Sequence, residues 1–193
     1  VGNSVYQALQ NIIKNSRKKS LNTKKYSLKH NKFIYVTIHR SETVDNKNKL
    51  LKIIKIINFL AKNYKIIFPI HPRTSKNLKN LKIKISSNII LVPPISYSES
   101  IFLLSKCFFC FSDSGGLQEE SVILKKRCLI PSYKTPHTYY LDKNANQLLN
   151  INNKKYINSV KKFIKSVKNK KMKKFLHKKN TSQLIVKIIK KLI

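Results

Sequence analysis

Short apolar runs alternate with amphipathic segments along most of the chain, and this alternation restricts the fold more than any other feature. We predict strands over the apolar runs, at 33–37, 65–69, 88–92, 108–112 and 127–130. We predict helices over the segments between them, at 46–62, 98–105 and 116–124. Apolar residues in the segment 46–62 recur every three or four positions, which is the period of a helix face. Strands separated by helices predict an α/β fold, in which a parallel sheet is flanked by helices on both faces.

The two ends of the chain add helices to this sheet. We predict an opening helix over 5–13 and a polar loop over 15–32. The tail, 153–193, has the pattern of two Lys-rich helices, broken near 168–173 and near Asn180. A chain of 193 residues fits one ordinary domain with a helical C-terminal tail.

Two of the chain's three glycines, Gly115 and Gly116, are adjacent, in a turn between a predicted strand and a predicted helix. Such a turn points free backbone N–H groups at an anion, and glycines let the backbone approach closely because they have no Cβ. Ser114 can add a hydroxyl donor, and Glu120 suits a ribose diol better than a phosphate. The alternative is a tight turn that binds nothing.

Polar clusters follow the first, second and fourth predicted strands, at 37–42, 69–74 and 112–120. The carboxyl ends of parallel strands form one edge of the sheet, and ligands bind there, so we expect the clusters to converge. The clusters supply the candidate residues His39, Arg40, Glu42, His71 and Arg73. Simpler roles remain open for them: a satisfied histidine at a strand end for His39, an ion pair for Arg40 and Glu42, and a strand cap or domain contact for the other two.

The chain is strongly basic, with 41 Lys and Arg residues against 7 acids and a net charge of +34. Either it binds a polyanion, or lysine has spread over a solvated surface. Only four of the basic residues are arginines, the type that bidentate contacts to phosphates and bases favour. We therefore expect no specific nucleic-acid partner. No apolar run approaches the length of a membrane span, so we expect no membrane partner either.

The three cysteines are expected to be core thiols. Cys107 and Cys110 have CxxC spacing, but they lie in an apolar run, and residues three apart on a strand point to opposite faces. No second pair completes a zinc site. We therefore predict no metal and no redox cofactor, and unpaired cysteines indicate a reducing compartment such as the cytoplasm.

The polar clusters resemble motifs of the non-hydrolysing UDP-N-acetylglucosamine 2-epimerase family. The most specific match is 113–120, which looks like the family's D-S-G-G-x-Q-E-E. Weaker matches are 2–9 with G-N-x-V-x-D-A-L, 37–46 with T-x-H-R-x-E-N-x-D, 68–74 with F-P-x-H-P-R-T, 94–97 with P-x-x-Y, and 145–149 with A-N-x-L-V. The motifs keep their order from Gly2 to about Asn150, so the resemblance covers most of the chain.

The resemblance implies the second domain of a glycosyltransferase-B-type fold, in which two Rossmann-like domains face a cleft. Residues 1–150 would form the UDP-sugar-binding domain, and 151–193 would form Lys-rich helices that pack on or beside it. The implied reaction inverts C2 of UDP-N-acetylglucosamine, by elimination and re-addition of UDP, to give UDP-N-acetylmannosamine for surface polysaccharide. The implied partners are an N-terminal epimerase domain, which carries most of the acid–base carboxylates, and a second copy in a homodimer.

The resemblance also assigns roles to residues. It implies that Ser114, Gly115 and Gly116 hold the diphosphate and that Glu120 binds the ribose hydroxyls. His71 joins these substrate-binding residues. The catalytic candidates are His39, which the family requires in its cleft, and its neighbours Arg40 and Glu42.

One stretch departs from the family pattern. Where the family has T-E-R-P-E, this chain has Tyr-Lys-Thr-Pro-His at 133–137, so the family's arginine is Thr135. That arginine is expected near the phosphates, and Lys134 can replace it only as a point charge. One alternative to an epimerase is therefore an inactive or split UDP-sugar-binding subunit. A second, which the motifs favour less, is a basic polyanion-binding protein.

Overall fold

Six parallel strands form one sheet in the computed structural model of the chain, which describes residues 4–16, 26–141, 144–170, 172–173 and 180–192. The strands are β1 (Phe33–Thr37), β2 (Lys65–Pro69), β3 (Ile89–Val92), β4 (Phe109–Ser112), β5 (Cys128–Ile130) and β6 (Asn146–Leu148). Their order across the sheet is β3-β2-β1-β4-β5-β6. The chain builds outward from β1 in one direction and then continues from β4 in the other. The order therefore reverses between β1 and β4, where open α/β sheets bind ligands.

Helices connect the strands and cover the sheet. In chain order they are α1 (Ser4–Ser16), α2 (Ser41–Val44), α3 (Lys47–Ala61), α4 (Pro72–Asn80), α5 (Tyr97–Lys106), α6 (Gly115–Ile123), α7 (Tyr156–Asn169) and α8 (Thr181–Leu192), with a 3-10 turn at Thr138–Tyr140. None of the helices in the described ranges combines the length and apolar character needed to cross a membrane.

Two apolar layers hold the helices on the sheet. Ile34 and Tyr35 are consecutive residues of β1, so their side chains point to opposite faces. Ile34 packs with α3 and α7 in one layer, and Tyr35 packs with α1 and α5 in the other. Phe163 of α7 is fully buried and meets Phe109 of β4 edge to face, with ring centroids 5.1 Å apart. The predicted arrangement of a parallel sheet with helices on both faces is confirmed.

The predicted elements match the observed ones to within one residue at most ends, but α2, α4, β6 and the 3-10 turn at Thr138–Tyr140 were not predicted. Pro69 and Pro72 indicated only the end of a strand, yet Pro72 begins α4, where a proline costs no hydrogen bond and its fixed φ suits a helix. β6 is three residues long and begins with a buried asparagine, Asn146, so it lacks the apolar run that indicates a strand. All three cysteines are buried free thiols, as predicted.

Some predictions fall on residues outside the described ranges. They are the start of the motif at 2–9 (Gly2 and Asn3), most of the predicted loop at 15–32 (residues 17–25), and part of the tail (residues 171, 174–179 and 193). Within the described ranges the tail has the two predicted helices, α7 and α8.

Candidate functional site

A cavity of about 320 Å³ opens where β1 and β2 end and α6 begins. Its lining includes five of the eight residues proposed from the sequence: His39, His71, Ser114, Gly116 and Glu120. The cavity lies beside the point where the strand order reverses between β1 and β4. The expected convergence of the polar clusters is therefore present in the fold.

Asp113 holds the loop after β1 against the end of β4. Its side chain is buried, and its carboxylate accepts the backbone N–H of His39 at 3.2 Å and that of Arg40 at 3.0 Å. The Nδ1 atom of His39 is 3.5 Å from Asp113 Oδ1. Burial raises the pKa of Asp113, and the N–H groups of Arg40 and His39 oppose this shift because they stabilise the carboxylate. Sequence reasoning placed Asp113 in a motif but gave it no role, although an acid directly after a buried strand was the available signal.

The glycine turn forms the N-terminus of α6. Ser114 is the N-cap, and its Oγ accepts the backbone N–H of Leu117 at 3.4 Å, which leaves its O–H able to donate to a ligand. Gly115 and Gly116 occupy the first two helical positions, whose N–H groups have no acceptor inside a helix. These two N–H groups and the Ser114 hydroxyl are the donors that the turn can offer to an anion.

The protein itself does not require glycine at these two positions. A Cβ at Gly115 would lie 3.6 Å from His137 Nε2 and 3.7 Å from Arg40 Nη2. A Cβ at Gly116 would lie 4.0 Å from Glu120 Oε1. These are ordinary contact distances, and neither glycine has a φ in the left-handed region. Neither crowding by the protein nor backbone strain therefore explains why both residues are glycines.

Glu120 faces the cavity from α6 and is held by an aromatic hydroxyl. The Tyr97 O–H donates to Glu120 Oε1 at 2.7 Å. Burial raises the pKa of Glu120, while the hydrogen bond from Tyr97 lowers it. Desolvation and the same hydrogen bond raise the pKa of Tyr97. Because a carboxylate accepts several hydrogen bonds, Glu120 can bind ligand hydroxyls without giving up Tyr97.

Of the remaining candidates, His71 lines the cavity, while Arg40, Glu42 and Arg73 are not among its lining residues. Arg40 Nη1 lies 3.6 Å from Glu42 Oε1, in an exposed ion pair that contributes little to stability. His71 Nδ1 accepts the N–H of Arg73 at 3.2 Å and so caps α4, and His71 also lines the cavity. Arg73 in turn donates from Nε to Asp45 Oδ1 at 2.8 Å. The ion pair considered from the sequence is thus present, while His71 caps a helix and not the strand that the sequence analysis considered.

The stretch that departs from the family pattern packs against α6. Thr135 Oγ1 donates to Gln118 Oε1 at 2.6 Å, and the N–H of His137 donates to Thr135 Oγ1 at 3.2 Å. Gln118 is buried, so this contact fixes the stretch from the inside of the domain. The residue at the family's arginine position therefore contacts the protein itself.

Comparisons with known proteins identify relatives of this chain. The family model described as UDP-N-acetylglucosamine 2-epimerase matches residues 1–190. A UDP-N-acetylglucosamine 2-epimerase of Methanococcus maripaludis is 36% identical over 174 residues, which cover 86% of this chain and 48% of the relative. The chain thus spans about half the length of this relative.

Solved structures give the same result. The crystal structure of the Methanocaldococcus jannaschii UDP-GlcNAc 2-epimerase, in complex with UDP-GlcNAc and UDP, superposes with a TM-score of 0.83 at 31% identity. The match covers 99% of this chain and 54% of that one. The UDP-GlcNAc 2-epimerase of Neisseria meningitidis, bound to UDP-GlcNAc, also gives 0.83, at 25% identity over 98% of this chain and 54% of that one. These matches confirm the Rossmann-like, glycosyltransferase-B-type fold inferred from the motifs. The chain belongs to the UDP-N-acetylglucosamine 2-epimerase family.

Proposed function

We propose that this chain is the UDP-sugar-binding half of a UDP-N-acetylglucosamine 2-epimerase. The observation that carries the proposal is the glycine turn at the start of α6, where two glycines have neither a left-handed φ nor a crowding neighbour. A ligand that must come close to the backbone N–H groups accounts for both glycines. The relatives whose solved structures hold UDP or UDP-GlcNAc supply the identity of that ligand.

In this proposal the diphosphate lies on the N–H groups of Gly115 and Gly116, with the Ser114 hydroxyl as a third donor. The positive end of the α6 dipole points to the same place. Glu120 accepts the two ribose hydroxyls, and Tyr97 holds its carboxylate in position at 2.7 Å. The sugar then extends toward His39 and His71, which also line the cavity.

The proposed reaction begins by eliminating UDP from the sugar. A base removes the proton from C2, the C2–H electrons form the C1=C2 double bond, and the C1–O bond breaks to release UDP. The leaving diphosphate gains charge in the transition state, so donors already aimed at it lower the barrier. UDP then adds back to the 2-acetamidoglucal as C2 is protonated on the other face, which inverts that carbon.

His39 is the proposed acid beside the leaving oxygen. Its side chain is about half exposed, and its Nδ1 lies 3.5 Å from the buried carboxylate of Asp113. A carboxylate this close to Nδ1 orients the ring, and an imidazole is the side chain that most often acts as a general acid. Arg40 is the next residue, and its guanidinium places a positive charge near Gly115. The exposed carboxylate of Glu42 forms an ion pair with the same guanidinium.

The base for the C2 proton is proposed to come from a partner domain. Asp113 is engaged by two backbone N–H groups, and Glu120 by Tyr97, so both carboxylates already have structural roles. α8 exposes an apolar face that a partner can cover, formed by Leu184, Ile185, Val186, Ile188, Ile189 and Leu192. We therefore propose that activity requires an N-terminal epimerase domain and that the intact enzyme is a homodimer.

Calorimetric titration with UDP tests the binding proposal. Two adjacent acids of α6 provide a matched pair, because Glu120 lines the cavity while Glu119 accepts a hydrogen bond from Tyr140. We expect saturable UDP binding that Glu120→Gln weakens and Glu119→Gln leaves nearly unchanged. Equal effects of the two substitutions, or no UDP binding, would contradict the proposal.

Turnover needs a separate experiment. The chain is mixed with an N-terminal epimerase domain and UDP-N-acetylglucosamine in deuterated water, and the proton on C2 is followed by NMR. We expect loss of the C2 proton signal and appearance of the second epimer. If UDP binds but C2 does not exchange, the chain is instead an inert UDP-sugar-binding subunit.

A further inference from the structure

His137 and Arg40 reach the start of α6 from different loops. A Cβ at Gly115 would have His137 Nε2 3.6 Å away and Arg40 Nη2 3.7 Å away. Both nitrogens therefore lie within 4 Å of one point, directly beside the first turn of the helix. Arg40 was a candidate from the sequence, whereas His137 was not.

The position of His137 is fixed by contacts on the protein side. Its N–H donates to Thr135 Oγ1 at 3.2 Å, and Thr135 Oγ1 donates to Gln118 Oε1 at 2.6 Å. Its ring stacks on that of Tyr140, with centroids 5.9 Å apart and planes 27° apart. Both contacts leave Nε2 on the side of Gly115. A histidine held in this way loses little conformational freedom when it meets a ligand.

The groups around this point attract an anion. Arg40 carries a permanent positive charge, the helix N-terminus adds a partial one, and the Gly115 N–H is a donor. An imidazole Nε2–H donates whether the ring is neutral or protonated, provided that Nδ1 is the acceptor in the neutral form. A phosphate oxygen placed here can accept hydrogen bonds from Arg40, from the Gly115 N–H and from His137 Nε2.

Lys134 does not lie beside Gly115, where His137 and Arg40 do. It is next to the residue that replaces the family's arginine, but its Nζ lies 5.7 Å from the centroid of the Tyr133 ring. Lys134 is also exposed, while His137 is half-buried. The residue that reaches Gly115 from this stretch is therefore His137.

We propose that His137 contacts the diphosphate, and that with Arg40 it replaces the arginine whose position in the family pattern is Thr135 here. This inference rests on the proposed function, because it names a contact within the same UDP site. His137 would then be a binding residue specific to chains that, like this one, depart from the family's T-E-R-P-E pattern at 133–137.

Titrations with UDP and with uridine test the inference, since only UDP has a diphosphate. We expect His137→Ala to weaken UDP binding about tenfold, by loss of one charge-assisted hydrogen bond, and to leave uridine binding unchanged. His137→Gln retains an N–H donor at a similar reach and is expected to restore much of the UDP affinity. His30→Ala, at an exposed histidine, is the control and should bind both ligands like the unchanged chain.

The outcomes separate the two proposals. If the unchanged chain binds neither UDP nor uridine, the proposed function fails. If it binds UDP and His137→Ala binds equally well, only the role of His137 is overturned. If His137→Ala weakens UDP and uridine alike, the residue supports the fold of the site without touching the diphosphate, and the inference is again wrong. Thermal melting of each variant shows which losses come from unfolding.

Discussion

Asp113 Oδ2 lies 3.0 Å from the backbone nitrogen of Arg40, a residue 73 positions earlier in the chain. This hydrogen bond joins the ends of two neighbouring strands, β1 and β4. The Thr37 and Ser112 hydroxyls, 2.7 Å apart, join the same two strand ends. The loop that carries His39 and Arg40 is thus held at a fixed distance from the glycine turn. Two sequence clusters become one site because a buried carboxylate connects them.

Replacing Asp113 with alanine is expected to destabilise the domain. The substitution removes the acceptor of two backbone N–H groups, and hydrogen bonds to a charged group contribute about 1.5 to 3 kcal/mol. Urea unfolding measures the loss. Asp45→Ala is the control because it breaks the exposed pair with Arg73, for which we expect less than about 1 kcal/mol. Equal losses of unfolding free energy in the two variants would show that the Asp113 hydrogen bonds stabilise the domain no more than an exposed ion pair does.

Replacing Gly115 with alanine is expected to separate the stability of the turn from its binding function. The new Cβ meets no atom nearer than 3.6 Å, so unfolding in urea should change by less than about 1 kcal/mol. The methyl group would occupy the space proposed for the diphosphate, so UDP affinity should fall more than about tenfold. A large loss of stability with binding preserved would instead indicate a tight turn that needs glycine for its own geometry.

The fold could be predicted because its strands are visible as apolar runs. Phe33 to Thr37 and Lys65 to Pro69 begin and end at the predicted residues, since buried parallel strands have few polar positions. α4 could not be predicted in the same way. Its sequence is mostly polar, and it forms because Pro72 and the His71 cap begin a helix whose Thr74 and Leu78 are buried.

The site could be predicted only in part, because motifs identify residues and not their contacts. The position of Glu120 in the helix after the glycines indicated a ribose-binding acid. Nothing in the sequence indicated that Tyr97, on a different helix, would donate to it. The position of His137 beside Gly115 is equally hidden, since it depends on how the segment after β5 folds back onto α6.

Binding of RNA is expected to be non-specific and to depend steeply on salt. With a net charge of +34, the chain should bind RNA at low ionic strength, with an affinity that falls about a thousandfold between 50 and 200 mM salt. UDP carries few charges, so its affinity should change much less over that range. Glu120→Gln should weaken UDP binding alone. RNA binding that persists at 200 mM salt, or that responds to Glu120→Gln, would instead favour a polyanion-binding function.

Uridine binding is expected to weaken as the pH falls, because the ribose hydroxyls need an ionised Glu120 as acceptor. Burial raises the pKa of this carboxyl above its ordinary value of 4.5, so affinity should be lost at a higher pH than for an exposed glutamate. The Tyr97 hydrogen bond lowers the same pKa, so Tyr97→Phe should move the loss of affinity to higher pH still. Titrations with uridine between pH 8 and pH 5 measure this midpoint, and uridine avoids the protonation of UDP itself. The Glu120→Gln variant is the control: it keeps His39 and His71, so any pH dependence of uridine binding that remains in it comes from groups other than Glu120. If its pH profile is the same as that of the unchanged chain, Glu120 is not the ribose acceptor.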